Sequence, residues 1–344
     1  FKFASIVCIF QQKIVTLHTI CMVGNMTNKE LYRDFCHKTK QLPIFMQDWW
    51  LDAVCAGKQW DVLLYMDEEG KIQAVLPYLL RQRAWMKYII MPQQTQIGGI
   101  WIDDTVSNNE KKVAEISLDF ANQLNEMGLS YYYQHYPIGS PMVEHMRAMQ
   151  FSITERATYR IEDLTDLDAV INGFSKNKKR QLQKALSLHV DYNMCVEDFY
   201  RFHVKCLQEK GKQITYTREF LLVLERKTAR LQQSQIVSIC NADNEVLAAA
   251  FLVWDNHSMY YLIPCYLPSQ KDSGASALLV LESIKLARQK GVAFDFEGSM
   301  IQGIANHYKQ FGSKRTIYYG VEKYYKWYFW FANMYNRLRE RKMR

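Results

Sequence analysis

Between Val292 and Gly312 the chain reads VAFDFEGSMIQGIANHYKQFG, with Asp295 and Glu297 two residues apart and Tyr308 and Lys309 just downstream. Side chains alternate between the faces of a strand, so Phe294 and Phe296 would line one face and both acids the other. A carboxylate whose pocket lifts its pKa toward neutrality can take a proton from an amine, directly or through a water. A phenol can return a proton to a leaving group, and an ammonium can balance an oxyanion or a phosphate. Glu297, Asp295, Tyr308 and Lys309 are therefore candidate catalytic residues. The competing structural reading makes the acids a helix cap or ion-pair partners of Lys309 or Arg315, and Tyr308 a core aromatic.

Elements that would position these groups are legible on the N-terminal side. From Ser276 to Lys290 the apolar residues cluster on one side of a helix, and Gly291 suits a C-cap. The preceding turn, Lys271-Asp272-Ser273-Gly274-Ala275-Ser276, has small residues that would let a pyrophosphate approach the free N–H groups of a helix N-terminus. Lys271, Ser273, Gly274, Ala275 and Ser276 are the candidate donor-binding residues. Gly98-Gly99 leads into Ile100-Trp101-Ile102 rather than a helix and is not read as a phosphate loop. In the basic run at 176–184, Lys176, Arg180 and Lys184 recur every four residues and form a helical stripe. That stripe suits CoA phosphates, a tRNA backbone or a lipid-linked pyrophosphate; the alternative is a solvated helix face.

The Lys271–Ser276 turn resembles the acyl-CoA loop of the GNAT acyltransferase superfamily, in which Arg or Gln is followed by two residues, Gly, one residue, then Gly or Ala. Here Lys271 stands at the first position and Ser276 at the last. Tyr308 to Gly312 is similar to that family's Tyr-x-x-x-Gly element, whose Tyr often protonates the departing thiolate. The paired strands expected over 245–254 and 258–265, together with His307-Tyr308-Lys309-Gln310-Phe311, resemble the Fem-type branch, where an aromatic-Lys-x-x-Phe element contributes a functional lysine. This resemblance implies an α/β fold of two tandem GNAT-like domains, each a central mixed β-sheet flanked by helices. It implies an N-acyltransferase with acyl-CoA, such as acetyl-CoA, as co-substrate and an amine acceptor, either a small molecule or a peptidoglycan precursor. Two alternatives accompany it: a Fem-type enzyme using aminoacyl-tRNA in cell-wall synthesis, and a non-catalytic GNAT-like binding protein.

Composition sets the frame. The chain has 344 residues, enough for two domains, and is 49% hydrophobic and 14% aromatic, which argues against disorder. Its eight cysteines are scattered with no CxxC and no Cys/His cluster, so neither zinc nor a disulfide framework is expected. No P-loop, HExxH or Gly-x-Ser-x-Gly elbow occurs. No apolar run approaches the roughly 20 residues that span a bilayer, and a cytoplasmic location is expected. Residues 1–25 read as an extension outside the fold, 26–165 as the first domain and 166–344 as the second, which carries the candidate site.

In the first domain, helices are expected at 29–40, after Gln47-Asp48-Trp49-Trp50 and at 109–127, with strands at 61–66, 72–80, before Pro92, at 100–102, 130–133 and 152–161. The Asp67-Glu68-Glu69-Gly70 turn makes the first two strands a hairpin. In the second domain, helices are expected over 166–188, 196–210 and 217–233. The C-terminus, 323–344, holds seven Lys or Arg against Glu340 alone and opens with an aromatic run from Tyr324 to Phe331. Those aromatics suit either packing on the sheet or peripheral contact with the inner face of a membrane. Interleaved aromatics and cations also suit single-stranded nucleic acid, but no RNA-binding motif is present and no DNA partner is expected.

Overall fold

A computed structural model of the chain describes residues 26–55, 60–298, 300–331 and 334. The extension expected at residues 1–25 lies outside the described residues. The first half runs α1 (Asn28–Lys38), α2 (Asp48–Val54), β1 (Trp60–Met66), β2 (Ile72–Arg83), β3 (Met86–Ile90), β4 (Trp101–Ile102), α3 (Asp104–Ser107), α4 (Glu110–Glu126), β5 (Tyr131–Tyr136), α5 (Met142–Ala148) and β6 (Ser152–Ile161). The second half continues with α6 (Leu167–Asn172), α7 (Lys176–Lys184), β7 (His189–Asp191), α8 (Val196–Glu209), α9 (Arg218–Arg230), β8 (Ser234–Cys240), β9 (Val246–Trp254), β10 (Ser258–Tyr266), α10 (Ala275–Lys290), β11 (Ala293–Asp295), α11 (Gln302–Lys309) and β12 (Lys314–Tyr324).

The strands form one mixed sheet in the order β1-β2-β3-β5-β12-β6-β11-β10-β9-β8-β7, with β4 on β2. The fold is thus mixed α/β, as expected, and the sheet passes from one half to the other without a break. The seam is made by long-range pairing: β12 lies between β5 and β6, and β6 pairs with β11. Alternation along the strands sends side chains into cores on both faces. Leu247, Ala248, Ala250 and Leu252 of β9 pack under α10, whereas Ala249, Phe251 and Val253 face α8 and α9. The latter core runs across both halves, where Phe45 meets Tyr260 at a ring separation of 4.6 Å.

Three expectations are corrected. The helix expected over 166–188 is two helices, because Ser175 caps a new start by accepting from the Lys178 N–H and ties its own N–H to the Gln310 carbonyl. β7 and β8, where no element is expected, are strands that complete the sheet. The strand expected to carry both acids stops at Asp295, so Glu297 sits past its end with φ +60°.

Candidate active site at the seam of the sheet

Asp295 is wholly buried and almost fully bonded. Its Oδ1 accepts from the Thr158 hydroxyl, from the Glu297 backbone N–H at 2.7 Å and from Gln96 Nε2 at 3.5 Å, while Oδ2 accepts from Arg160 Nη1 at 3.2 Å. Burial pushes its pKa up, and the Arg160 charge and these donors pull it back. By accepting the Glu297 N–H, Asp295 holds the turn in which Glu297 adopts left-handed backbone, a conformation that side-chain-bearing residues seldom take and that concentrates at functional sites.

Glu297 is different. Its Oε1 is sealed from solvent and has no hydrogen-bond partner. Burial raises its pKa well above the usual carboxylate range, and the Asp295 charge adds to the shift. The carboxylate faces a cleft of 240 Å³ lined by Pro92, Gln94, Thr95, Gln96, His135, Arg156, Glu297 and Tyr318. Two other buried atoms without partners, Gln96 Oε1 and Arg156 Nε, belong to the same lining. Buried polar groups are normally satisfied, so three unsatisfied ones around a single cleft mark a place built for a polar ligand. His135 donates from Nδ1 to the Gln96 carbonyl at 2.8 Å, which leaves Nε2 to accept from the Tyr133 hydroxyl at 2.9 Å. Burial, then the Arg156 charge, lowers its pKa to about 4, so the imidazole is neutral at pH 7.

Tyr308 lies on the other side of β11, with Phe296. Its ring stacks on Phe296 at 4.5 Å, and burial raises its phenol pKa, with further contributions from the charges of Glu297 and Asp295. The charges of Asp295 and Glu297 thus reach the Tyr308 phenol, but its ring packs in the core with Phe296 and does not line the cleft. Lys309 is exposed, 5.9 Å over the Tyr159 ring. The ion pairs expected between the acids and Lys309 or Arg315 are also absent among the described residues, since Asp295 takes Arg160 and Arg315 takes Glu155. His135, Arg156, Gln96 and Tyr318 escaped sequence reasoning because each lies on a distant segment that only the seam brings together.

On the other flank, α7 packs against the entry to α10. Gly274 is buried with φ +85°, and a Cβ there would stand 2.2 Å from the Gln181 carbonyl oxygen and 3.1 Å from the Ala185 side chain. The open side of this glycine is thus taken up by α7 rather than left for a ligand. Ala275 N–H bonds Ser273 Oγ at 3.2 Å, Ala275 is buried, Ser273 and Ser276 are half-buried, and Lys271 is exposed. Lys176, Arg180 and Lys184 are exposed on α7. On the inner side, Lys178 is buried, with Nζ 3.0 Å from Gln181 Oε1, 3.3 Å from His307 Nδ1 and 4.7 Å from the Phe311 ring centroid. Burial lowers its pKa to about 8, and burial with the Lys178 charge lowers that of His307 to about 4. Among the described residues no group of His, Cys, Asp and Glu is arranged to hold a metal, and no helix is long and apolar enough to cross a membrane.

Residues 172–310, from the end of α6 through α11, match the family model of the acetyltransferase (GNAT) domain. Over these residues the chain is similar to a GNAT domain. The structure of FemX superposes with a TM-score of 0.65 at 14% identity, covering 86% of this chain and 96% of that one. The structure of L-PGS from Bacillus licheniformis gives 0.50 at 11% identity, covering 84% and 90%. The C-terminal domain of a putative lysylphosphatidylglycerol synthetase from Agrobacterium fabrum gives 0.52 at 10%, covering 86% and 92%. At these identities the likeness is one of fold. No curated protein matches in sequence. The GNAT match includes Asp295, Glu297, Tyr308 and Lys309, whereas Gln96, His135, Arg156 and Tyr318 lie outside it.

Proposed function

We propose that this protein is an N-acyltransferase that delivers an acyl group from acyl-CoA, such as acetyl-CoA, to an amine held in the seam cleft, with 26–165 and 166–344 as its two tandem units. The observation that carries the reading is that one polar cleft is lined by both Glu297 and Arg156, whose Oε1 and Nε atoms are buried without a partner. Glu297, its pKa raised by burial, takes the proton from the attacking amine. Asp295 holds the Glu297 turn, and Arg156 Nε–H opposes the charge that develops on the carbonyl oxygen. Tyr308 protonates the leaving group. The donor's phosphates meet the α10 entry at Lys271, Ser273 and Ser276, flanked by Lys176, Arg180 and Lys184 on the helix packed against it. Lys309 lies on the solvent side and acts only on donor phosphate.

A second reading, transfer of an aminoacyl group from tRNA to a cell-wall precursor, is favoured by the polar lining of the cleft. Gln96 Oε1 and Glu297 Oε1 suit an acyl group that carries its own amine. Both readings go with a cytoplasmic location. Calorimetric titration separates them: binding of acetyl-CoA with release of thiol in the presence of amines supports the first, and binding of charged tRNA alone supports the second. Binding of neither donor would overturn both.

A further inference from the structure

Past β12 the chain turns helical, at residues 327–331 and again at 334. One side of this segment is anchored: Phe329 stacks 5.0 Å from Tyr131 and lies 5.3 Å from Tyr88, and the Tyr328 hydroxyl is 3.4 Å from Ser130 Oγ. The other side carries Trp327, Trp330, Phe331 and Met334, spaced i, i+3, i+4 and i+7, and all four are exposed, Trp327 at 74%. An amphipathic helix normally buries its apolar stripe; this one presents it outward.

A second element reaches the same end of the sheet. Tyr88, Tyr131 and Tyr324 are aligned across β3, β5 and β12. The β2–β3 turn therefore projects Trp85, 78% exposed, about two strand spacings, ~10 Å, from where β12 gives way to Trp327. The neighbouring charges are mostly cationic, although Glu322, just before the 323–331 segment, accepts from the Tyr131 hydroxyl at 2.9 Å. Residues 81–88 and 323–331 contain no acid, and Arg83, Lys87 and Lys326 are exposed. Beyond Met334 the sequence adds Arg337, Arg339, Arg341, Lys342 and Arg344 against Glu340.

We infer that this face, built from the Trp85 turn and the Trp327–Met334 stripe, docks on an anionic lipid surface. Indole and phenyl rings enter the headgroup boundary while the surrounding cations meet lipid phosphates, the two contributions that hold a protein at an interface without spanning it. The patch is separate from the cleft: His135 follows Tyr131 by four strand residues and Tyr318 precedes Tyr324 by six, roughly 13 to 20 Å along the sheet. Losing the patch therefore leaves the chemistry with a water-soluble acceptor intact.

The test is cosedimentation of the full chain with vesicles of phosphatidylglycerol and phosphatidylcholine in equal parts, against phosphatidylcholine alone, with tryptophan emission as second readout. The expected result is partition to the anionic vesicles with a blue shift, weakened by salt. It should fall at least tenfold in Trp327→Ser/Trp330→Ser/Phe331→Ser, which leaves the Phe329 anchor in place. Trp85→Ser, on a different element, should weaken it independently. Failure of the native chain to bind anionic vesicles, or equal binding by all variants, overturns the proposal. So does a dimer dispersed by the triple substitution, or binding of uncharged tRNA abolished by it, without vesicle binding.

Discussion

Replacing Gly274 by alanine probes how α7 and α10 are fitted together. The added Cβ would lie 2.2 Å from the Gln181 carbonyl oxygen, more than an ångström inside ordinary contact, and a main-chain oxygen in a helix cannot swing aside as a side-chain tip can. Moving α7 outward or tilting it is overpacking, which costs about 1–3 kcal/mol. The backbone at φ +85° adds about 1–2 kcal/mol for any residue with a Cβ. Gly291 is the control, because it has φ +71° but open space where its Cβ would go. Gly291→Ala should cost only the conformational part. The difference between the variants, about 1–3 kcal/mol, isolates the clash, and it should lower the melting temperature of Gly274→Ala by about 1–4 °C more than Gly291→Ala. Differential scanning calorimetry in one buffer measures both. Equal losses would show that α7 does not press on Gly274, and a neutral Gly274→Ala would refute the packing of this flank altogether.

Three other outcomes follow from the same geometry. Lys178 titrates at about 8 in the fold against 10.5 for an ordinary lysine, so the unfolded chain holds more protons between those values and stability rises with pH across that window. Lys178→Met should therefore stabilise the protein at pH 7 on the order of 1–3 kcal/mol, less what Gln181 and His307 lose, with the gain shrinking above pH 8; thermal scans at pH 7 and pH 10 showing no difference would contradict this. Charge reversal at Lys176, Arg180 and Lys184 together should raise the Kd of the phosphate-bearing donor about tenfold and flatten its salt dependence in calorimetry; an unchanged Kd and slope would make the stripe an ordinary wetted face. Tyr308→Phe keeps the stack on Phe296 and should lower kcat about 10²-fold at unchanged donor affinity, and near-native turnover would reduce Tyr308 to a core aromatic.

Local signals were legible where residues near in sequence decide the structure. The Asp67–Gly70 turn, the Thr217 cap before α9 and the left-handed Gly291 that ends α10 all follow from side chains within a few positions. Alternation in Phe294-Asp295-Phe296-Glu297 separated rings from acids correctly, because Phe294 and Phe296 enter the core under α10. What stayed hidden depends on distant partners. Nothing near Lys314–Tyr324 says that it will slide between β5 and β6, yet that insertion brings Tyr318 beside Arg156 and His135. The basic run of α7 shows a second limit. Its stripe lies on the wetted face, and Lys178 and Ala185 turn inward, but nothing in a run of cations distinguishes the lysine that α10 and α11 will cover.

The central claim, that Glu297 is the base of this site, is tested most directly by the pH dependence of kcat/KM for acyl transfer by the native chain and Glu297→Gln, with whichever donor binds. Raised by burial and the Asp295 charge, Glu297 should give the native enzyme a rate that climbs with pH as the carboxylate loses its proton and then levels. Glu297→Gln should lose about 10²-fold at the plateau, and the climbing limb with it, while donor affinity stays native. A variant that turns over near the native rate along the same limb would contradict the account.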